Sequence, residues 1–183
     1  SATFDGAPFK AFAQTPQSAP GCYNYAQGGA RVTNPVGSWN KALLLLTPPD
    51  QTGLLGQLTE PVSTQIAAHL AVASKFAADD LVTVMAGAND VFLNLAAVGR
   101  GTATPTDAVT AMGVAGAQLA GLIQGQILAN GATRVVVLNI PDFAVTPFFA
   151  SKDAQTKGLV TAMTQTFNGQ LAAGLAALSA ADK

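Results

Sequence analysis

The chain has 183 residues, of which 49% are hydrophobic and 10% charged, enough apolar material for one domain with a sizeable core and too much for a disordered chain. Nine basic against ten acidic residues leave a formal charge of −1 with no basic stripe, so a nucleic-acid partner has no electrostatic footprint. No apolar run reaches the ~18 residues expected of a membrane-spanning helix, the nearest candidate being broken by Gln118, Gln124 and Gln126, and no signal-peptide layout opens the chain.

In chain order, residues 1–20 mix Ala, Pro, Gln and Ser without period and read as irregular surface. Residues 22–26 form a short predicted strand running into Gly28-Gly29, a pair that permits positive φ or a close approach to the backbone, or simply a turn. Residues 31–56 read as a long, partly ordered connection. A helix follows, with Leu58, Val62, Ile66, His69, Ala73 and Phe76 on one stripe and Pro61 tolerated in its first turn. Residues 81–86 are a buried strand that stops at Gly87-Ala88-Asn89-Asp90. A short helix over 91–98 comes next, then a long one opened by Thr104 as cap and Pro105 at the first position, with Asp107 in the first turn and Gly131 just past the end. Gly121 and Gly125 on one face of it predict tight helix packing. Residues 134–140 are the next buried strand, with Pro141-Asp142 as its exit. The last helix covers about 153–178, with Leu159, Met163, Phe167, Leu171 and Leu175 on one face. Strands alternating with helices predict a parallel sheet with covered faces.

In an open parallel sheet, ligands sit beyond the carboxyl ends of the strands. Asn89 stands at that edge and offers a neutral donor. His69 is the chain's single histidine. It lies about eleven residues into a helix that runs away from that edge, roughly 16 Å down at 1.5 Å per residue, and reads as a packing residue. Asp90 reads as a helix cap and Asp142 as the anchor of its own turn. No His, Cys and carboxylate cluster has metal-ligand spacing, and no phosphate-binding loop is present, so neither metal nor cofactor is expected.

The ordered set N-Y-A-Q-G-G-A at 24–30, G-A-N-D at 87–90 and R-V-V-V-L-N-I-P-D at 134–142 resembles the SGNH hydrolases, also called GDSL esterases and lipases. Within them it is most similar to secreted or autotransporter-type bacterial members. The resemblance implies a flavodoxin-like, three-layer α/β/α fold with a parallel sheet, and hydrolysis of carboxylic esters through a Ser-His-Asp arrangement. It also implies that the Gly29 backbone N–H and the Asn89 side-chain amide are two of three oxyanion donors, the third being the N–H of the nucleophilic serine. Fixed neutral donors suit the tetrahedral intermediate's negative oxygen without the desolvation cost of a buried cation.

Two family motifs are absent: the G-D-S-[LF] segment that carries the nucleophile and the D-x-x-H segment that supplies acid and base. The expectation is a single SGNH-like domain over 1–183, incomplete at both ends and inactive by itself. In the family's strand order, 2-1-3-4-5, the family's first strand sits between 22–26 and 81–86, so a gap is expected there with unpaired inner edges. Cys22, the single cysteine, is either a small buried hydrophobe or, in an exported protein, the partner of a cysteine preceding Ser1. The partner expected is a small-molecule or lipid ester, and the location is secreted, periplasmic or displayed on the outer membrane, with room for a membrane-anchoring domain in the parent protein. Two other function classes stay open. One is a non-catalytic binding or passenger module on the same scaffold; the other is a flavin or nucleotide binder, disfavoured because neither early strand exit offers a phosphate cradle.

Overall fold

The computed structural model describes residues 24–181 together with the short antiparallel pair β1 (Thr3–Phe4) and β2 (Ala7–Pro8). Cys22 and the first part of the predicted strand at 22–26 lie outside the described residues. The central sheet consists of β3 (Leu81–Met85) and β4 (Arg134–Leu138), parallel and paired from Leu81 with Arg134 through Met85 with Leu138. Both are runs of aliphatic and β-branched residues, the composition that fits a pleated surface.

Four helices accompany the sheet: α1 (Val62–Ala73), α2 (Ala88–Gly99), α3 (Pro105–Leu122) and α4 (Ala154–Ala181). α3 opens as its sequence predicts. Thr104 accepts from the Asp107 N–H, and the Asp107 carboxylate accepts from the Thr104 N–H in return, a capping box with Pro105 in the first turn. It continues through a π turn (Ile123–Ile127) and a 3-10 turn (Leu128–Asn130) to Gly131. By length and apolarity the segment 105–130 would reach across a membrane, but Met112, Leu119, Ile123 and Ile127 on it are buried in the core.

The core gathers Met112 and Leu119 from α3, Val160, Met163, Phe167 and Leu171 from α4, Ile140, and Phe149. Each such side chain contributes about 1.5–3 kcal/mol on burial. α3 and α4 touch closely because Gly116 has no side chain: a Cβ there would overlap the Phe167 carbonyl, and one at Gly174 would overlap Ala120. Gly121 and Gly125, the expected packing pair, have open space beside them. The contact uses instead the face that carries Gly116 and Ala120.

Among the described residues, the sheet is covered on one face. Val82, Val84, Val135 and Val137 turn toward the core, whereas Leu81, Met85, Val136 and Leu138 are 46–64% exposed on the other side. Of the expected covering of both faces, the described residues supply one. The crossover from β3 to β4 carries α3 to the covered face, where α1 and α4 share its core.

Several boundaries also differ. α1 begins at Val62 with Pro61 as its cap, leaving Leu58 and Phe76 outside it. Residues 24–26 make no strand ladder with β3. Instead 24–28 and 81–86 face each other across a groove of about 930 Å³ floored by Val62, Ile66 and His69 of α1. Among the described residues β3 pairs with β4 alone.

Candidate active site

α2 starts three residues earlier than the sequence suggests, directly at the end of β3, so Asn89 and Asp90 lie in its first turn. Gly87 is the cap, with φ +108°, and a Cβ on it would run into the Phe167 ring. Only glycine meets both demands, the left-handed backbone and the aromatic ring packed under the turn. The N-terminus of α2 adds positive potential from its unpaired N–H groups beside Asn89.

The Asn89 side chain is held at both ends. Its Nδ2 donates to the Ala30 carbonyl at 2.9 Å, and its Oδ1 accepts from the Ser38 hydroxyl at 2.8 Å. Nδ2 carries two protons, and the Ala30 carbonyl takes one. Next to Ala30, Gly29 has φ +89°, and a Cβ there would press on the Ser38 carbonyl oxygen and the Thr59 hydroxyl. The Gly29 carbonyl accepts from the Ser38 N–H at 2.9 Å. No described residue accepts a hydrogen bond from the Gly29 N–H. Asn89 is thus bonded to Ala30, the residue next to Gly29, although 60 positions separate Gly29 and Asn89 in the chain.

Asp90 does not cap its helix. Its carboxylate takes the Arg31 Nε–H at 2.8 Å on one oxygen and the Val32 N–H at 3.1 Å on the other, with only 3% of the residue exposed. Burial raises its pKa above the ordinary carboxylate value, and Arg31 and the Val32 N–H pull in the opposite direction. Its structural effect is to tie the 29–32 loop to the first turn of α2. Losing one partner of such a buried pair costs about 3–5 kcal/mol, so the pair fixes how Gly29 and Asn89 sit relative to each other. Asp142 does anchor its own turn, accepting from the Ala144 N–H at 2.9 Å, and also from the Thr161 hydroxyl at 2.8 Å.

His69 packs as its place on the α1 stripe suggests. Its ring stacks on Phe76 with centroids 4.3 Å apart and meets Tyr25 edge-on at 5.6 Å. Burial lowers its pKa, partly opposed by the Asp80 charge and a backbone hydrogen bond at Lys75. It lines the same groove as Asn89 but at the other end, beside the start of β3. The five residues of β3 span roughly 16 Å at ~3.3 Å each. Among the described residues no group of three or more His, Cys, Asp or Glu could hold a metal ion.

Ser38 is the residue that sequence reasoning missed. It sits between Gly37 and Trp39 in a connection with no regular period, and nothing local to it marks a contact with a residue 51 positions away. The clue available in the sequence was the small-residue pair Gly37-Ser38 itself. A Cβ on Gly37 would overlap the Gly29 carbonyl, so this turn lies directly on the Gly29 loop.

A family model described as GDSL-like Lipase/Acylhydrolase matches residues 6–183. The chain belongs to the GDSL-like lipase/acylhydrolase family. Membership covers nearly the whole chain and agrees with the α/β architecture and the parallel β3–β4 pair. No curated protein and no solved structure matches the chain.

Proposed function

We propose that this protein is a carboxylic ester hydrolase of the SGNH type in which the Gly29 N–H and the Asn89 Nδ2 amide stabilise the oxyanion of the tetrahedral intermediate. The observation that carries the reading is the Asn89 amide, whose acceptor end is occupied by Ser38 and whose donor end, bonded to the Ala30 carbonyl next to Gly29, carries a second proton. A side chain that merely shaped its turn would bond within its own loop. Asn89 reaches two residues on a different loop, as a preorganised donor must if it is to spend no energy reorienting when charge develops. The attacking serine and its acid-base pair come, in this reading, from sequence outside these 183 residues. The groove between 24–28 and β3 is the place where an extended segment bearing that serine lies. The sparse charge of the chain supports an exported protein.

The test is Asn89→Ala in the protein as its gene encodes it. With p-nitrophenyl esters, kcat should fall by about 10²–10³-fold, roughly 2.7–4 kcal/mol of transition-state stabilisation. KM should stay within a few-fold, because the donor matters chiefly once charge has formed. Asn89→Asp should be at least as damaging, since it replaces a donor with an anion. A folded Asn89→Ala protein with near-parental kcat would remove the oxyanion assignment. An encoded protein that binds esters without turnover would point to the non-catalytic module.

A further inference from the structure

We infer that Ser38 is a positioning residue that holds both candidate oxyanion donors in one frame, an inference that rests on the oxyanion reading of Asn89. Ser38 makes two hydrogen bonds from one residue. Its backbone N–H donates to the Gly29 carbonyl at 2.9 Å, and its hydroxyl donates to the Asn89 Oδ1 at 2.8 Å. The first bond grips the peptide unit that follows the Gly29 N–H, and the second grips the amide plane of Asn89. Ser38 is 8% exposed, so neither bond competes freely with water.

The surroundings are built to keep Ser38 there. Gly37 has no room for a side chain because the Gly29 carbonyl lies against it. Trp39 takes the left-handed conformation at φ 63°, which turns the chain sharply just after Ser38. The Trp39 carbonyl then accepts from the Gln57 N–H at 3.0 Å, anchoring the far side of the turn. A non-glycine residue at positive φ is strained and persists only where its neighbours over-determine it.

The two bonds on the Asn89 amide are complementary. The Ala30 carbonyl can only accept, so it forces Nδ2 to its side and forbids the flipped amide. Ser38 satisfies the remaining acceptor and stops the amide plane from twisting about its last torsion, a broad and soft one. A hydrogen bond into Oδ1 also polarises the amide and strengthens Nδ2–H as a donor. Ser38 is not the attacking serine: its proton is committed to Asn89, and the chain's single histidine lies at the far end of the groove.

Two readouts test this, the first kinetic and made in the protein as its gene encodes it. Ser38→Ala should lower kcat by about three- to tenfold, the scale of one neutral hydrogen bond, with KM nearly unchanged, and Ser38→Thr should restore most of the loss. The second needs no activity. In the ¹⁵N-labelled protein as its gene encodes it, the Asn89 side-chain amide signals should shift and exchange faster with solvent in Ser38→Ala than in the parent. Asn89→Ala separates the two layers. If it leaves kcat intact, the oxyanion reading and this inference fall together. If it abolishes turnover while Ser38→Ala changes neither kcat nor the Asn89 amide signals, the oxyanion reading stands and the positioning role is overturned. A Ser38→Ala loss that Thr does not restore, with Asn89 signals unmoved, also overturns it.

Discussion

At the scale of single residues, the division of labour in the first turn of α2 follows from chemistry that neighbouring positions cannot share. Asn89 is neutral and leaves a donor free, whereas Asp90 is an anion and is consumed by Arg31 and the Val32 N–H. Exchanging the two would put a carboxylate at the donor position and leave Arg31 without its partner. The sequence made Asn89 legible because the strand run before it and the glycine at position 87 place it at a reactive edge. The true role of Asp90 was not legible, since a cap and a long-range ion pair place the same residue type in the same turn. His69 gives a prediction at this scale. Burial favours its neutral form, so the folded protein holds its proton only at pH values below those of an unfolded histidine near 6.5. As pH falls below 6.5 the unfolded chain binds more protons than the folded one, and the stability contributed by the neutral ring is lost through the folded value. Urea midpoints measured from about pH 7.5 to about pH 5 should therefore decline more steeply for the parent than for His69→Gln. Parallel curves would show that burial of this ring carries no proton linkage.

At the scale of elements, periodicity located the helices better than it located their contacts. The α4 stripe was read correctly: Met163, Phe167 and Leu171 are all buried. The glycines of α3 were misassigned because a glycine's partner lies on another helix, and sequence spacing on one helix cannot name it. The difference is measurable. Gly116→Ala should destabilise the fold by about 1–3 kcal/mol, as an added methyl meets the Phe167 backbone rather than a yielding side chain. Gly121→Ala has open space and a helical site, so it should stabilise by about 0.4–1 kcal/mol by reducing the freedom of the unfolded chain. Chemical denaturation of both variants checks the pair; equal effects would contradict the packing described for α3 against α4.

At the scale of the whole molecule, the α/β class and the parallel pairing of 81–85 with 134–138 were legible from strand–helix alternation. The one-sided covering of the sheet was not, because alternation says that helices connect strands but not which face receives them. The exposed Leu81, Met85, Val136 and Leu138 and the unpaired side of β3 form an apolar surface of a kind that native sheets usually protect. Under the proposed function, this chain supplies the oxyanion donors of an acylhydrolase and receives its nucleophile from elsewhere in the protein. Labelling with a fluorophosphonate, which traps an activated serine, tests it most directly. The protein as its gene encodes it should take up one label, on a serine outside the 183 residues, and the Asn89→Ala form should take it up far more slowly. The 183-residue chain alone should take up none and should not turn over p-nitrophenyl esters. Stoichiometric labelling of the isolated chain, at Ser38 or any other serine within it, would contradict the claim.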